Sequence, residues 1–577
     1  MSQTREVAAR LEEFADLLAA TDVAYKPRVY RRAAENIRDH PDPIEDLAAD
    51  GHDRVATIDA VGDAIAAKII EYIETDSIDE LDELRSELPV KMDALTSVEG
   101  VGPKTVGRLY DALGIQTLDD LETAATNGKI REIDGFGAKT EQNIREGITF
   151  ARDATERQLL GEARPLGERV VAHLSESPSV KRCALAGSIR RFEPTIGDID
   201  VLAASEEPEA AVAAFTDWSA AGTVLEAGSE KASLRAAGMQ VDLRVVAPAE
   251  FGAAQQYFTG SKAHNLTVRN RAIDRGLKLN EYGVFDVSET TAEDQRAGER
   301  LASESEAEVY EAVGLSWIPP ELREDRGEVA AAAADDLPTR LAPEHIRGDL
   351  HVHTNWSDGG MSIETMVAAA ADRGHEYICL TDHATGPGMV GGIGLDDDAL
   401  REQLQTIRTV ADDATITVFA GVEANIAPDG SVSVGDDLLA DLDLVVASPH
   451  ASLSGDGTDR LLQAARHPSV DIIGHPTGRQ LQQRSGLDID IERLATAAAE
   501  HGTALETNAS PRRLDLSGRQ IKTAVDAGAS IAVNTDAHRP ASLDLRRFGV
   551  HTARRGWAEP ADVVNAQPAG ALRSFLE

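Results

Sequence analysis

The chain has 577 residues, more than one hydrophobic core usually organises, so the sequence predicts several domains. Its 99 acidic residues outnumber 57 basic ones and give a net charge of −42, a composition that resembles that of proteins from salt-adapted organisms. In molar salt the Debye length is about 3 Å, so repulsion between this chain and a polyanion would be screened. A charged N-terminus, two cysteines and the lack of a long apolar run argue against a secreted, disulfide-linked or membrane protein, and we expect a cytoplasmic one.

The first 150 residues contain three related turns followed by helical patterns. They lie within "TIDAVGDAIAAKI", "TSVEGVGPKTVGRL" and "REIDGFGAKTEQNI". A single copy is as readily an ordinary connection between helices, but three copies favour amides that hold DNA phosphates at helix N-termini. The segments resemble helix-hairpin-helix motifs, whose predicted DNA-binding glycines are Gly62, Gly100, Gly102, Gly135 and Gly137.

Three aspartates predict a metal site in the mixed region that follows. Asp198 and Asp200 open an apolar run two residues apart, so on a strand they point to the same face. Asp242, in "MQVDLRVV", supplies a third carboxylate. Carboxylates this close repel one another unless a cation separates them, which indicates Mg²⁺ or Mn²⁺. Two ions would activate a hydroxyl and hold a triphosphate, which is nucleotidyl transfer.

The stretches "AGSIRRFEPTIGDIDVL" and "QYFTGSKAHN" resemble family X DNA polymerases, the family of DNA polymerase beta. The resemblance makes Asp198, Asp200 and Asp242 the catalytic metal ligands. It implies that one group of residues contacts the triphosphate, a second closes on the sugar, and two further residues meet the base and the template. These are, in that order, Gly187, Ser188, Arg191 and Gly197; Tyr257, Phe258 and Gly260; and Asn265 and Arg269.

The same resemblance assigns a second role to the N-terminal region. Lys68 falls at the position of the family's Schiff-base lysine, which removes 5′-deoxyribose phosphate. The plainer interpretation of a lysine just after a hairpin is a phosphate contact or a surface charge. Both interpretations remain open from the sequence.

The last 230 residues alternate short apolar runs with amphipathic helices, the pattern of a parallel α/β barrel or sheet. Each run ends in polar residues, and the ends of parallel strands meet at one mouth. We therefore expect nine imidazole and carboxylate groups to converge there. They are His351, His353, Asp358, His383, Glu423, His450, His475, Asp536 and His538. Nine ligands are too many for one ion, and the mixed N and O set suits Mn²⁺ or Zn²⁺, with up to three ions.

The order of these ligands resembles the polymerase and histidinol phosphatase (PHP) domain. The resemblance implies a (βα)7 barrel. Glu506, in "LETN", also lies at a strand end, and we expect it to support the ligands from behind. The resemblance also implies metal-dependent phosphoester hydrolysis at DNA 3′ ends. The expected activity is a 3′-to-5′ exonuclease, with abasic-site endonuclease and 3′-phosphatase activities as further options.

Together these patterns predict a multidomain fold: a helical helix-hairpin-helix region, an α+β nucleotidyltransferase palm with a thumb, and an α/β barrel of PHP type. The predicted domains are 1–90 (helical, DNA-binding), 91–150 (helix-hairpin-helix), 151–247 (palm), 248–320 (thumb-like, dNTP-selecting), 321–345 (an Ala-, Asp- and Pro-rich linker) and 346–577 (PHP).

The predicted function is a repair polymerase that fills short gaps in base excision repair and trims 3′ ends. Its expected partners are gapped or nicked DNA and dNTPs, with no membrane, and it is expected to be a monomer. The alternatives are a PHP phosphoesterase with a weakly active polymerase half, a nucleotidyltransferase for a non-DNA acceptor, and a non-catalytic DNA-binding scaffold.

Overall fold

The structure is a computed structural model that describes residues 3–21, 23, 26–40, 43–58, 60–75, 77–98, 100–155, 157–289, 294–388 and 393–576. The chain divides into two compact units. The N-terminal unit comprises residues 1–157 with 482–484, and the C-terminal unit comprises residues 158–481 with 485–577. Within the described residues, no helix is long and apolar enough to span a bilayer.

The N-terminal unit is helical. Its helices are α1 (Gln3–Ala20), α2 (Lys26–Asp39), α3 (Ile44–Ala49), α4 (His52–Val55), α5 (Asp63–Thr75), α6 (Asp79–Glu87), α7 (Met92–Thr96), α8 (Pro103–Leu113), α9 (Leu118–Thr126) and α10 (Ala138–Thr155). Val7, Leu11 and Phe14 recur at helical spacing on α1 and are buried, because this face packs into the core of the unit. Phe14 stacks on Tyr30 of α2 at a ring-centroid distance of 4.5 Å.

The palm, residues 158–247, is built on a five-stranded sheet. Its elements are β1 (Gln158–Leu159), α11 (Leu160–Glu176), β2 (Arg182–Leu185), α12 (Gly187–Arg190), β3 (Thr195–Ile196), β4 (Asp198–Ala204), α13 (Pro208–Thr216), β5 (Thr223–Ala227), β6 (Lys231–Ala236) and β7 (Met239–Val246). The strand order is β2-β4-β7-β6-β5, in which β4 and β7 are parallel and the other pairs are antiparallel. Residues of α11 and α13 share a core with the sheet.

The thumb, residues 248–333, follows the palm. Its elements are α14 (Phe251–Thr259), α15 (Lys262–Asp274), β8 (Leu277–Asn280), β9 (Gly283–Asp286), β10 (Glu299–Ala302), α16 (Glu306–Ala312) and α17 (Glu328–Ala333). Its three strands form an antiparallel sheet in the order β10-β9-β8. Glu306 on α16 accepts two hydrogen bonds from the palm residue Arg190, at 2.7 Å each.

The segment predicted to be a linker is packed against both neighbouring domains: its first half belongs to the thumb, and Leu341 in its second half lies in a buried core of the barrel. Leu322, Val329 and Ala332 belong to the buried core of the thumb, and α17 lies within the segment. Arg323 is fully buried and its Nη1 donates to Glu306 at 2.7 Å. The alanine-rich composition of the segment gave no sign of this packing. A few apolar residues and one ion pair are enough to anchor a short helix, and they leave no apolar pattern in the sequence.

The remaining residues form the barrel. Its elements are β11 (Gly348–Val352), α18 (Ile363–Asp372), β12 (Tyr377–Leu380), α19 (Asp397–Asp413), β13 (Thr417–Asn425), α20 (Asp436–Leu439), β14 (Leu444–Ser448), α21 (Thr458–Ala465), β15 (Ile472–Ile473), α22 (Ile491–His501), β16 (Ala504–Asn508), α23 (Gly518–Asp526), β17 (Ile531–Asn534), α24 (Arg546–Arg555) and α25 (Ala569–Leu576). The seven strands are parallel and pair in sequence order, and a parallel bridge from Val352 to Ala537 links the first and last edges. All carboxyl ends therefore lie at one mouth, as the sequence predicted.

The palm and the barrel also pack against each other inside the C-terminal unit. Leu514 and Phe548 of the barrel belong to the hydrophobic core of the palm. The rings of Phe192 and His551 stack at a centroid distance of 3.4 Å. The two halves of this unit thus share apolar surface as well as a chain.

Candidate active sites

The three palm aspartates meet on two neighbouring strands. Asp198 and Asp200 lie on β4, and Asp242 lies on β7 directly opposite Asp200. One carboxylate oxygen from each lies within 4.8 Å of the others, close enough to share cations. Burial and the charges of Asp198 and Asp242 raise the pKa of Asp200 to about 7. Such crowding is costly without a positive charge, so the cluster fits divalent cations.

Gly187 lets the turn before α12 approach Asp200. Its φ is +58°, and a Cβ there would lie 1.8 Å from Oδ2 of Asp200. The Ala186 amide also donates to the Asp200 carbonyl at 2.8 Å. This turn carries Ser188 on α12 and Arg191 at its end, so the predicted triphosphate contacts lie beside the carboxylates.

Arg191 is held by the thumb. Its Nη1 donates to the Thr259 carbonyl at 2.6 Å, and its Nε donates to Glu324 at 2.9 Å. A Cβ on Gly260 would lie 3.2 Å from the Arg191 guanidinium, so glycine lets this segment come close. Thr259 and Glu324 are functional neighbours that the sequence analysis missed, because nothing in their local pattern marks them.

The other predicted nucleotide contacts lie on α14 and at the start of α15. Tyr257 is 43% exposed, and its ring meets that of Phe258 edge-on at 5.2 Å. Asn265 donates to the Tyr257 carbonyl at 2.6 Å and accepts from Gln256 at 2.9 Å, which fixes its orientation. Gly197 directly precedes β4, and Arg269 is exposed on α15.

The three predicted DNA-binding turns share one backbone geometry. In each, an amide donates to the carbonyl three residues earlier: Val61 to Ile58, Val101 to Val98 and Phe136 to Ile133, at 2.9 to 3.0 Å. The residue before each donor has a positive φ, at Ala60 (62°), Gly100 (81°) and Gly135 (79°). Ala60 thus takes the glycine conformation, and the divergent first copy keeps the same turn. The space beside Gly62, Gly102 and Gly137 is open for 4 Å around an added Cβ, so a phosphate could approach these helix starts.

Lys68 on α5 is engaged in an ion pair. Its Nζ lies 2.7 Å from Glu80 and 5.6 Å from the ring centroid of Phe14. Burial lowers the pKa of Lys68, but the hydrogen bond with Glu80 and the charges of Tyr30 and Glu80 outweigh burial and raise it above its usual value. An amine nucleophile needs the opposite shift, so lyase activity would require Lys68 to leave Glu80.

All nine predicted ligands of the barrel converge at its mouth. Their nitrogen–oxygen approaches run from 2.6 Å, between His383 and Glu423, to 3.9 Å, between His351 and Asp536. Three groups hold ligand atoms within 4.8 Å of one another. They are His353, Asp358, His383 and His538; His351, His353 and Glu423; and His383, Glu423 and His450. His475 and Asp536 complete the set, at 3.1 Å from Glu423 and from His353 respectively.

The charges at the mouth shift its ligands in different directions. Burial lowers the pKa of His351, His383 and His538, but the neighbouring carboxylates outweigh burial and raise it. Burial lowers the pKa of His353, as do the charges of His538 and His383, so its imidazole stays neutral. Burial raises the pKa of Glu423, but the charges of His383, His450 and His351 outweigh burial and hold it well below its usual value. Neutral imidazole and ionised carboxylate are the forms that bind metal ions.

Buried polar atoms at the mouth have no hydrogen-bond partner among the described residues. They include both ring nitrogens of His353, Nε2 of His351 and both carboxylate oxygens of Glu423. His383 Nδ1 lies 2.6 Å from Glu423, but without the alignment of a hydrogen bond. Buried polar groups are nearly always paired, so several orphans aimed at one centre indicate that cations are the partners. The residues present therefore fit a cluster of divalent ions.

A shell of hydrogen bonds orients the ligands. Glu506 on β16 accepts from Nδ1 of His351 at 2.8 Å and from the His475 amide at 2.6 Å, so it supports the ligands as predicted. Nδ1 of His450 is paired with Asn425 at 2.7 Å. Such partners fix the ring and the tautomer presented to a metal.

Asp382 and Arg513 are two neighbours of the mouth that the sequence analysis missed. Asp382 accepts from the Thr354 amide at 2.8 Å and the Ser357 hydroxyl at 2.6 Å, which shapes the loop that carries Asp358. Arg513 lies 3.8 Å from Asp536 and brings a positive charge to the mouth. The aspartate in "TDH" was a readable signal, whereas Arg513 lies in a loop without a motif.

Four known families match parts of the chain. A helix-hairpin-helix domain matches residues 2–78, and a SAM-like helix-hairpin-helix tandem matches residues 92–149. The DNA polymerase beta thumb matches residues 254–324, and the PHP domain matches residues 349–510. These families follow the predicted order and confirm the predicted fold class.

Curated relatives extend this agreement to the whole chain. The "DNA polymerase/3′-5′ exonuclease PolX" of Bacillus subtilis is 33% identical over 563 residues, 96% of both chains. A "probable phosphatase" of Thermoanaerobacter sp. (strain X514) is 34% identical over 218 residues, 35% of this chain and 81% of that protein. One from Edwardsiella ictaluri is 31% identical over 252 residues, 40% and 93% of the respective chains. Because the first similarity spans nearly all of both chains, this protein belongs to the family X DNA polymerases that carry a PHP domain.

Proposed function

We propose that this chain is a DNA polymerase of the repair type, which fills short gaps in base excision repair and removes nucleotides from 3′ ends in its barrel. The observation that carries the proposal is the presence of two complete sites in one chain, three carboxylates in the palm and nine ligands in the barrel. The Bacillus subtilis relative, similar over 96% of both chains, is named for both activities.

In the palm, the chain's own residues position the reacting groups. Asp198, Asp200 and Asp242 would hold the ions, for which we propose Mg²⁺ or Mn²⁺. The turn at Gly187 would present amides to the triphosphate, while Arg191 neutralises its charge. When bound, divalent ions would activate the primer 3′-hydroxyl and stabilise the leaving pyrophosphate.

In the barrel, the histidines and carboxylates would hold up to three ions, for which we propose Mn²⁺ or Zn²⁺. When bound, such ions would lower the pKa of a water molecule and polarise a phosphoryl oxygen. Glu506 keeps His351 aimed at the centre, and Arg513 adds a positive charge beside it for a phosphate. Similarity to proteins named as probable phosphatases supports 3′-phosphatase activity at the same mouth, and we propose abasic-site endonuclease activity there as well.

The proposed substrates are gapped or nicked duplex DNA and dNTPs, and the helix-hairpin-helix turns would grip the DNA backbone. We propose that the chain works as a monomer.

The lyase activity implied by the position of Lys68 stays a prediction. Trapping with borohydride on a 5′-deoxyribose phosphate end would test it, with Lys68→Ala and Lys91→Ala compared.

Two variants separate the two sites. With a gapped duplex, dNTPs and Mn²⁺ in high salt, Asp200→Ala should abolish extension and keep 3′-end degradation, whereas His353→Ala should do the reverse. Gel analysis of the labelled strand measures both activities. Asp217→Ala and His467→Ala, which lie outside the two ligand sets, are the matched controls and should keep both. Loss of both activities in both variants would contradict the two-site proposal.

A further inference from the structure

A cavity of about 160 Å³ lies where palm, thumb and barrel meet within the C-terminal unit. Four arginines line it: Arg326, Arg479, Arg519 and Arg555. Among the described residues that line it, Glu193 is the one carboxylate. The chain as a whole has a net charge of −42, so this cluster of four guanidinium groups is a local region of positive charge on a negatively charged protein.

Arg555 is the most deeply paired of the arginines that line this cavity. Its side chain is only 6% exposed and pairs with Glu193 at 2.9 Å and with Glu324 at 3.1 Å. It also donates to the Arg191 carbonyl at 2.7 Å. Buried arginine is costly unless it is well paired, and these contacts hold it in place. The cavity lining thus contains a guanidinium group that is held in a fixed position.

Helix α23 points its N-terminus at the same space. The amides of Gly518 and Arg519, at the start of this nine-residue helix, have no hydrogen-bond partner among the described residues. A Cβ on Gly518 would lie 2.6 Å from Cβ of Arg555, so glycine lets the helix start sit against the arginine. Free amides and the helix dipole favour an anion at this point.

Two further arginines reach the mouth of the cavity without partners. The guanidinium groups of Arg326 and Arg519 are exposed, and neither donates a hydrogen bond or forms an ion pair within the described parts of the chain. Burial and the positive charge of Arg555 lower the pKa of Arg326, the carboxylates of Glu324 and Glu193 raise it, and Arg519 lowers it. Those two carboxylates already pair with Arg555, so positive charge still exceeds negative charge around the cavity. An anion between the arginines would relieve their repulsion.

The volume limits what the cavity can take. About 160 Å³ corresponds to roughly five water molecules at about 30 Å³ each. Pockets that enclose whole small-molecule ligands measure roughly 300–1,000 Å³, so this cavity is too small to enclose a complete nucleotide. One phosphate group with its oxygens facing the guanidinium groups does fit, and planar arginine forks suit those oxygens.

We propose that this cavity is a phosphate-binding site, outside the carboxylate cluster of the palm and the mouth of the barrel, which takes one phosphate group through Arg326, Arg519, Arg555 and the first amides of α23. The phosphate can belong to a DNA strand or be free in solution, and both share this chemistry. The site goes beyond the proposed function, because its test measures binding in a chelator without turnover. A failure here would leave both catalytic proposals intact.

Protection from an arginine-specific dicarbonyl reagent tests the site in the unmodified full-length chain. With EDTA present, inorganic phosphate should slow labelling of Arg326 and Arg519 at least fivefold, as followed by peptide mass spectrometry. Arg401 and Arg493 are internal controls, because their side chains are 53% and 58% exposed and lie outside the cavity. They should label at an unchanged rate.

A single-stranded oligonucleotide provides the second arm of the experiment. Protection by both probes supports a strand phosphate as ligand, and protection by inorganic phosphate alone supports a free one. Equal labelling of all four arginines with and without either probe would overturn the proposal.

A double variant checks the result by calorimetry. Arg326→Ala with Arg519→Ala should weaken phosphate binding to this site at least tenfold, whereas Arg401→Ala with Arg493→Ala removes the same charge and should not. Thermal unfolding would confirm that both pairs fold. Equal phosphate affinity in the two pairs would also overturn the proposal.

Discussion

At the scale of single residues, the position of a palm carboxylate depends on a neighbouring glycine. Gly187 occupies a left-handed backbone conformation directly against Asp200. Glycine at this position provides both the conformational freedom that a positive φ requires and the space beside Asp200. Loss of either would displace the Asp200 carboxylate, which lies opposite Asp242.

Gly187→Ala should therefore reduce primer extension by at least about a hundredfold, because a shift of about 1 Å in a catalytic group can cost that much. End degradation in the barrel should remain. Gly238→Ala is the matched control, since Gly238 also has a positive φ (+81°) but has open space for 4 Å around an added Cβ. Equal extension rates in the two variants would contradict this explanation.

Glu306 is a single residue on which the packing of the thumb against the palm depends. It accepts from Arg190 and from the fully buried Arg323. Glu306→Gln should lower the free energy of unfolding by about 3–5 kcal/mol, because it leaves buried positive charge uncompensated. Urea unfolding measures the loss, and Glu311→Gln, exposed at the end of the same helix, should change little.

The contribution of Glu306 should also depend on pH. Burial raises the pKa of Glu306, but the charges of Arg323 and Arg190 outweigh burial and lower it from 4.5 to about 2. Its stabilisation is therefore complete above pH 4.5 and is lost as pH falls towards 2. The difference in stability between the wild type and Glu306→Gln should shrink through that window and stay constant above it.

At the scale of elements, strand β16 connects the barrel's framework to its ligands. Glu506 faces the mouth from this strand and accepts from His351 and from the amide of His475. Asn534, on the neighbouring strand β17, donates to the same carboxylate at 3.1 Å. Parallel pairing of β15, β16 and β17 therefore fixes a ligand through a residue that is not itself a ligand.

Glu506→Gln should reduce exonuclease activity about 10- to 100-fold, because loss of a partner behind a metal-binding histidine typically has that effect. Higher metal concentration should restore part of the rate, and gap filling should be unchanged. Glu500→Gln, on the exposed face of α22, is the control. A variant that exchanges metal and degrades DNA like the wild type would exclude this role.

At the scale of elements, the arrangement of the barrel could be predicted from the sequence, whereas one helix of the thumb could not. The parallel-strand rule brought together nine residues spread from His351 to His538, and the structure confirms that convergence. The rule succeeds because it needs only strand direction and the position at which each strand ends. The thumb's α17 was read as linker, because its few buried residues give no periodic signal.

At the scale of the whole molecule, the net charge of −42 should destabilise the folded chain in dilute salt. We predict that the unfolding temperature rises as KCl is increased from about 0.1 M, where the Debye length is about 10 Å, to molar concentrations, where it is about 3 Å. Circular dichroism would measure the midpoint. Glycine betaine, which is uncharged overall, is the control, and an equal rise in betaine would point away from charge screening.

The sequence by itself determined the order of the domains, the two clusters of candidate metal ligands and the three helix-hairpin-helix turns. Those features depend on short-range spacing or on strand ends, which are readable along one chain. Only the tertiary structure decided how palm and barrel join, where Arg555 donates to Arg191 across 364 residues of sequence. It alone assembled the arginine cavity and the buried pairs of Glu306. Such contacts are set by how distant surfaces pack, and no periodicity encodes which side chains will meet there.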